Sequence, residues 1–80
     1  MLIAYAVNHK IIVAFDKKVI KGKIIVTNSV NNMFIKLIPL IQTDYVQIDI
    51  VSNIQEVKLD IYIGDNIYNK KIKFNQNYTL

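Results

Sequence analysis

His9 is the only histidine of the chain and Ser29 and Ser52 are its only serines, so a nucleophile, base and orienting group would have to be built from these three. All three lie in stretches that read as turns, and there is no cysteine to replace any of them. The carboxylates Asp49 and Asp60 fall on outward positions of alternating stretches, where acids serve solubility more than proton transfer. Gly64-Asp65-Asn66 supplies one carboxylate and one amide, short of the oxygen set that a calcium loop needs, and the same tripeptide makes a hairpin turn. These residue types point to a non-enzymatic protein with no metal site and no cofactor.

The basic residues carry a different message. The net charge is +4, and all ten basic residues are lysine. Arginine is the side chain that forks onto phosphates and guanine edges, so its absence argues against specific nucleic-acid readout. Ile, Lys, Asn and Tyr dominate the chain, a bias that A+T-rich coding imposes and that is common in some bacteria and their phages. Lysines dominate residues 1–41, the acids Asp44, Asp49, Glu56, Asp60 and Asp65 dominate 42–66, and Lys70, Lys71 and Lys73 follow. Such segregation suits either cross-strand pairing within one sheet or two faces of opposite sign that dock neighbours.

The elements that would position these residues are strands. Period-two alternation recurs, and no long stretch carries a helical stripe. Seven strands are expected: Leu2 to Val7, Ile11 to Phe15, Val19 to Thr27, Met33 to Ile41, Tyr45 to Val51, Gln55 to Ile63 and Ile67 to Phe74. The intervening breaks, among them Asp16-Lys17-Lys18, Asn28 to Asn32, Gln42-Thr43-Asp44 and Gly64-Asp65-Asn66, have turn composition. Alternation assigns Ile20, Gly22, Ile24 and Val26 to one inward face, Val46, Ile48 and Ile50 to another, and Val57, Leu59, Ile61 and Ile63 to a third. Pro39 cannot donate to a ladder and marks its strand as an edge or a bulge.

Eighty residues, 52% of them apolar, form one domain over 1–80 with more apolar side chain than so small a core can hide. Unbroken apolar runs such as Leu37 to Ile41 are far below the roughly 20 residues of a membrane-spanning helix. The opening MLIAYAVNHK lacks the parts of a signal peptide, so the expected location is a virion or the cytoplasm of the producing cell, with no membrane. Burial against other protein subunits is the economical use of the surplus. The candidate interface is the edge strand with Phe34, Ile35, Leu37, Ile38, Leu40 and Ile41, steered by Lys17, Lys18, Lys21 and Lys23.

Two resemblances bear on the architecture. GKIIVTNSVNNMFI, with Gly22, Asn28 and Asn32, resembles the first signature of the Sm-like proteins, small ring-forming β-barrels that bind RNA. IYIGDNIY, with Gly64, Asp65, Asn66 and Ile67, looks like the second. The resemblance implies RNA binding through Asn28, Asn32, Gly64 and Asp65. Ile63 stands where that family carries its arginine and Val30 where a base usually stacks, so the backbone pattern is present without the pocket chemistry.

VIKGKIIVTN is similar to the second-strand pattern of immunoglobulin-like sandwiches, without a Cys-Trp-Cys core. The expected fold is therefore all-β, a single antiparallel immunoglobulin-like sandwich of about seven strands, with a small SH3/Sm-like barrel as the alternative. The expected role is a structural or interaction subunit of a large assembly, an auxiliary (decoration or minor capsid) protein of a phage or virus particle. Its partners would be other protein subunits, with neither nucleic acid nor a small molecule. The alternatives are an RNA-binding ring and a soluble adaptor or inhibitor of one host protein.

Overall fold

The computed structural model describes residues 2–74. They form five strands: β1 (Leu2–Val7), β2 (Lys10–Asn28), β3 (Phe34–Asp49), β4 (Glu56–Ile63) and β5 (Asn66–Lys73). Every pairing is antiparallel. β2 is the spine: one edge carries β3 from Lys10↔Asp49 to Thr27↔Phe34, and the other carries first β1 and then β4, with β5 beyond β4. The result is a single open sheet, curled into a half-barrel that resembles the SH3/Sm-like barrels.

The immunoglobulin-like, seven-strand sandwich is thus incorrect, and the reason lies in two short polar stretches. Asp16-Lys17-Lys18 does not reverse the chain. β2 runs on through a bulge, advancing from Ala14 to Val19 while β3 moves only from Tyr45 to Thr43. Gln42-Thr43-Asp44 is likewise a bend inside β3. Gln42 takes a left-handed φ of 47°, and the Thr43 hydroxyl donates to the Tyr45 carbonyl at 2.8 Å. Two expected strand pairs therefore fuse into two long strands, and a long antiparallel ribbon curls where two separate sheets would have stacked.

The curl is visible in one contact. Lys36 Nζ donates to the Asp49 carbonyl at 2.9 Å although the two are 13 residues apart in β3. A straight strand at about 3.3 Å per residue would hold them roughly 40 Å apart. Inside the curl, Ile11, Val13, Ile24, Val26, Leu40 and Ile48 pack with Val57, Leu59 and Ile61 of β4, all essentially inaccessible. Each such side chain contributes about 1.5–3 kcal/mol by leaving water.

The bulge also resets the alternation. Ile11 and Val13 point inward, Val19 still does, and beyond it Ile24 and Val26 take over. Ile20, expected inward, is 64% exposed, and Val19 holds the core position in its place. Gly22 lies where the β2–β4 ladder ends, opposite Ile63: a Cβ there would sit 2.5 Å from the Tyr62 carbonyl oxygen, so no larger residue fits without displacing backbone.

The tight connections use side chains that stabilise left-handed backbone. In the β2–β3 turn, Asn28 Oδ1 accepts from the Val30 N–H at 2.9 Å, and Asn32 has φ 60°. Gly64 opens the β4–β5 turn at φ 59°. The expected seventh strand, Ile67 to Phe74, corresponds to β5, with Phe74 tied by its N–H to the Gln55 carbonyl at 2.8 Å.

Candidate functional site

A curled sheet has a concave face, filled here by the core, and a convex face that meets the surroundings. Strand register decides which side chains share the convex face. Thr27 pairs with Phe34, Ile25 with Leu37, Lys23 with Pro39 and Lys21 with Ile41. Phe34 is 65% exposed, Leu37 47% and Ile41 70%, and Lys21 and Lys23 lie beside them. On the far side of Lys23 lies Tyr62, whose ring has Lys23 Nζ 5.1 Å from its centroid, and Tyr62 in turn pairs with the exposed Ile67. An apolar ridge on the edge strand β3 is therefore bordered by a line of ammonium groups.

The candidate interface residues do not all share this surface. Phe34, Leu37, Ile41, Lys21 and Lys23 come together on it, and Ile35 and Ile38 are half-buried against the core. Leu40 is fully buried and belongs to the core. Lys17 and Lys18 sit on the β2 bulge and line a different feature, the cleft beside β1 and β5. The lysine set thus divides between two places, because the bulge turns residues 16–18 away from the convex face.

The residues of the Sm-like signatures are likewise separated. Asn28 and Asn32 hold the β2–β3 turn, beside Val57, whereas Gly64 and Asp65 form the β4–β5 turn next to Ile63. Between Asn28↔Val57 and Gly22↔Ile63 the ladder spans roughly 20 Å at about 3.4 Å per residue. One nucleotide cannot touch both ends. Each of these residues acts locally, Asn28 and Asn32 by setting one turn and Gly64 by supplying the positive φ of the other.

His9, Ser29, Asp49 and Asp60 are also dispersed. Among the described residues no three His, Asp or Glu side chains come together as metal ligands would. Asp60 accepts from Asn69 Nδ2 at 2.5 Å and lies 4.0 Å from Lys58 Nζ, and Asp49 faces Lys10 across the β2–β3 ladder. His9 is more than a solvated turn residue. Its ring stacks on Phe74, with centroids 4.6 Å apart and an interplanar angle of 20°, and its Nε2 lies 3.2 Å from the Ile54 carbonyl. Since a carbonyl can only accept, Nε2 is the donor. His9 thereby pins the β1–β2 turn to the β3–β4 connection.

A second exposed apolar surface was not evident from sequence. On the convex face around β1, Ile3 pairs with Ala14, which pairs with Tyr45, and Tyr5 pairs with Ile12. Ile3, Tyr5, Val7 and Tyr45 are each about half exposed. The alternation of LIAYAV contained the signal, since Leu2, Ala4 and Ala6 face the core while Ile3, Tyr5 and Val7 face out.

No protein-family model, no curated protein and no solved structure matches the chain.

Proposed function

We propose that the chain is a non-enzymatic structural subunit that docks on other protein subunits of a larger assembly through the convex face of the β2–β3 ribbon. The observation that carries this reading is the row of exposed Phe34, Leu37 and Ile41 on an edge strand, bordered by Lys21 and Lys23. Apolar groups exposed along an edge are a hazard to a free monomer and an asset to a protein that is covered in use. The lysines steer such a surface onto an acidic partner and raise the rate of encounter more than the final affinity. Of repeating assemblies, a phage or virus shell decorated by an auxiliary protein suits a small, cysteine-free, A+T-biased chain.

Light scattering of the chain at micromolar concentration and moderate salt tests the reading. A monomer, or weak association that grows with concentration, is the expected result, because the surface is completed on a larger host. A discrete hexamer or heptamer would overturn it in favour of the Sm-like ring, which the half-barrel architecture keeps as the second reading. Leu37→Lys with Ile41→Lys should leave the fold intact and remove incorporation into assembled particles. Incorporation at normal occupancy would show that this face is not the docking surface.

A further inference from the structure

The edge of β2 that carries β1 up to Phe15 and β4 from Gly22 onward holds no strand in between among the described residues. The bulge lies in that interval, and the interruption opens as a cleft of about 310 Å³. Leu2, Phe15, Val19 and Ile63 line it with apolar surface, and Lys17 and Lys18 stand at its rim. β1 and β5 approach one another here without pairing, so among the described residues each presents an unused strand edge. An adjoining hollow that shares Leu2 and Tyr68 with the cleft lies along β5 and reaches Lys70.

We propose that this cleft binds an extended acidic segment of a partner protein, seating one apolar side chain on the apolar floor and a neighbouring carboxylate against Lys17 and Lys18. The volume suits one branched or aromatic side chain and is at the small end for a cofactor. The strand edges supply backbone N–H and C=O groups, the usual means by which an extended segment adds to a sheet. Charge selects the partner's sign: Lys17, Lys18 and Lys70 are exposed around the cleft, and Asp16 is the one carboxylate among the described residues that line it.

A peptide is favoured over a single-stranded nucleic acid because the chain has no arginine to fork onto phosphates and because Leu2, Val19 and Ile63 form an aliphatic floor. Phe15 and Tyr68 are the rings in the lining, and competition with oligouridylate tests whether a base stacks on them. The site is separate from the convex face that carries Lys21 and Lys23, so each can fail without the other.

The test titrates the ¹⁵N-labelled chain with acetylated, amidated hexapeptides that hold Leu, Ile, Phe or Tyr between two glutamates, and follows amide shifts. The expected result is saturable binding of at least one peptide, with shifts at Lys17, Lys18, Ile63 and Tyr68. Lys17→Glu with Lys18→Glu should raise its Kd by about tenfold or more, and Lys21→Glu with Lys23→Glu should leave it within about twofold. Circular dichroism confirms that both variants keep the fold.

The proposal is overturned if no peptide saturates at millimolar concentration, or if peptides with lysine in place of glutamate bind equally well. Shifts confined to the convex face would also overturn it. So would displacement of the peptide by an equal concentration of oligouridylate, or cleft shifts that change on dilution of the free protein, which would assign the cleft to a second copy.

Discussion

The two halves of the β2–β3 ribbon share one construction on the inside and differ on the outside. Around β1, Ile11, Val13 and Ile48 fill the core, and the convex rows run Ile3–Ala14–Tyr45 and Tyr5–Ile12–Gln47, with charge only in the terminal row Val7–Lys10–Asp49. Around β4, Ile24, Val26 and Leu40 fill the core, and the convex rows run Ile67–Tyr62–Lys23–Pro39 and Asn69–Asp60–Ile25–Leu37. Burial dictates the inner faces alike. The outer faces are free of that demand: the first half keeps its ammonium, Lys10, in the end row opposite Asp49, whereas the second half sets Lys21 and Lys23 among its apolar residues. An uncharged surface is selective through shape alone, whereas one interleaved with lysine also discriminates by sign.

The largest expected effect separates inside from outside at adjacent residues. Leu40→Ala removes a fully buried side chain from the second half and should cost about 2–5 kcal/mol, seen as an earlier urea midpoint. Ile41→Ala, one residue on and 70% exposed, should change stability by less than about 0.5 kcal/mol. Comparable costs for the two would mean that Ile41 is not on the surface and that the convex face has been misassigned.

Gly22→Ala probes the seam that joins β4 to the second half. The new methyl would meet the Tyr62 carbonyl, which can move only with its strand, and a loss of about 1–3 kcal/mol is expected. Gly64→Ala meets nothing within 4 Å and is opposed only by the positive φ of 59°, so its cost should be smaller, about 1 kcal/mol. Thermal melts of the two variants rank them, and the reverse order would place the constraint in the turn.

His9→Ala tests the corresponding pin of the first half. It removes the ring stacked on Phe74 and the bond to the Ile54 carbonyl, with an expected loss of about 1–2 kcal/mol. Hydrogen exchange should quicken most at the Ile50 amide, which bonds the His9 carbonyl, and little along β4. Equal quickening of β4 would show that the halves unfold as one unit.

These differences also explain how much could be read from the residues alone. The alternation of β4 was legible because a strand covered on one face must alternate, and Val57, Leu59 and Ile61 are the buried set. The turn at Asn28 to Asn32 was legible because Asn is a side chain that caps its own backbone and tolerates positive φ. Asp16-Lys17-Lys18 was not, since three solvated polar residues look the same whether the chain reverses or merely bulges. That ambiguity moved Ile20 to the wrong face and split β2 in two. It also hid the cleft, whose lining comes from β1, β2, β4 and β5 and has no local signature. On β3, Leu37 and Ile41 were readable as exposed edge residues, but Leu40 in the same apolar run could be told from them only by its register with Gly22.

The smallest expected effect is electrostatic and uses the two halves as each other's control. In the first half Lys10 faces Asp49, whereas in the second Lys58 faces Lys71 directly across β4 and β5. Like charges in that position oppose pairing, so Lys71→Glu should stabilise by about 0.2–1 kcal/mol, while Lys10→Glu should destabilise by a similar amount. Lys58 already lies 4.0 Å from Asp60, and a second carboxylate gives its ammonium a cross-strand partner without displacing the first. Both changes sit in water and should shrink toward zero in molar salt, where the Debye length falls to about 3 Å. A gain from Lys71→Glu that survives high salt would have to come from packing or strand propensity, and β5 would then be held by more than its ladder to β4.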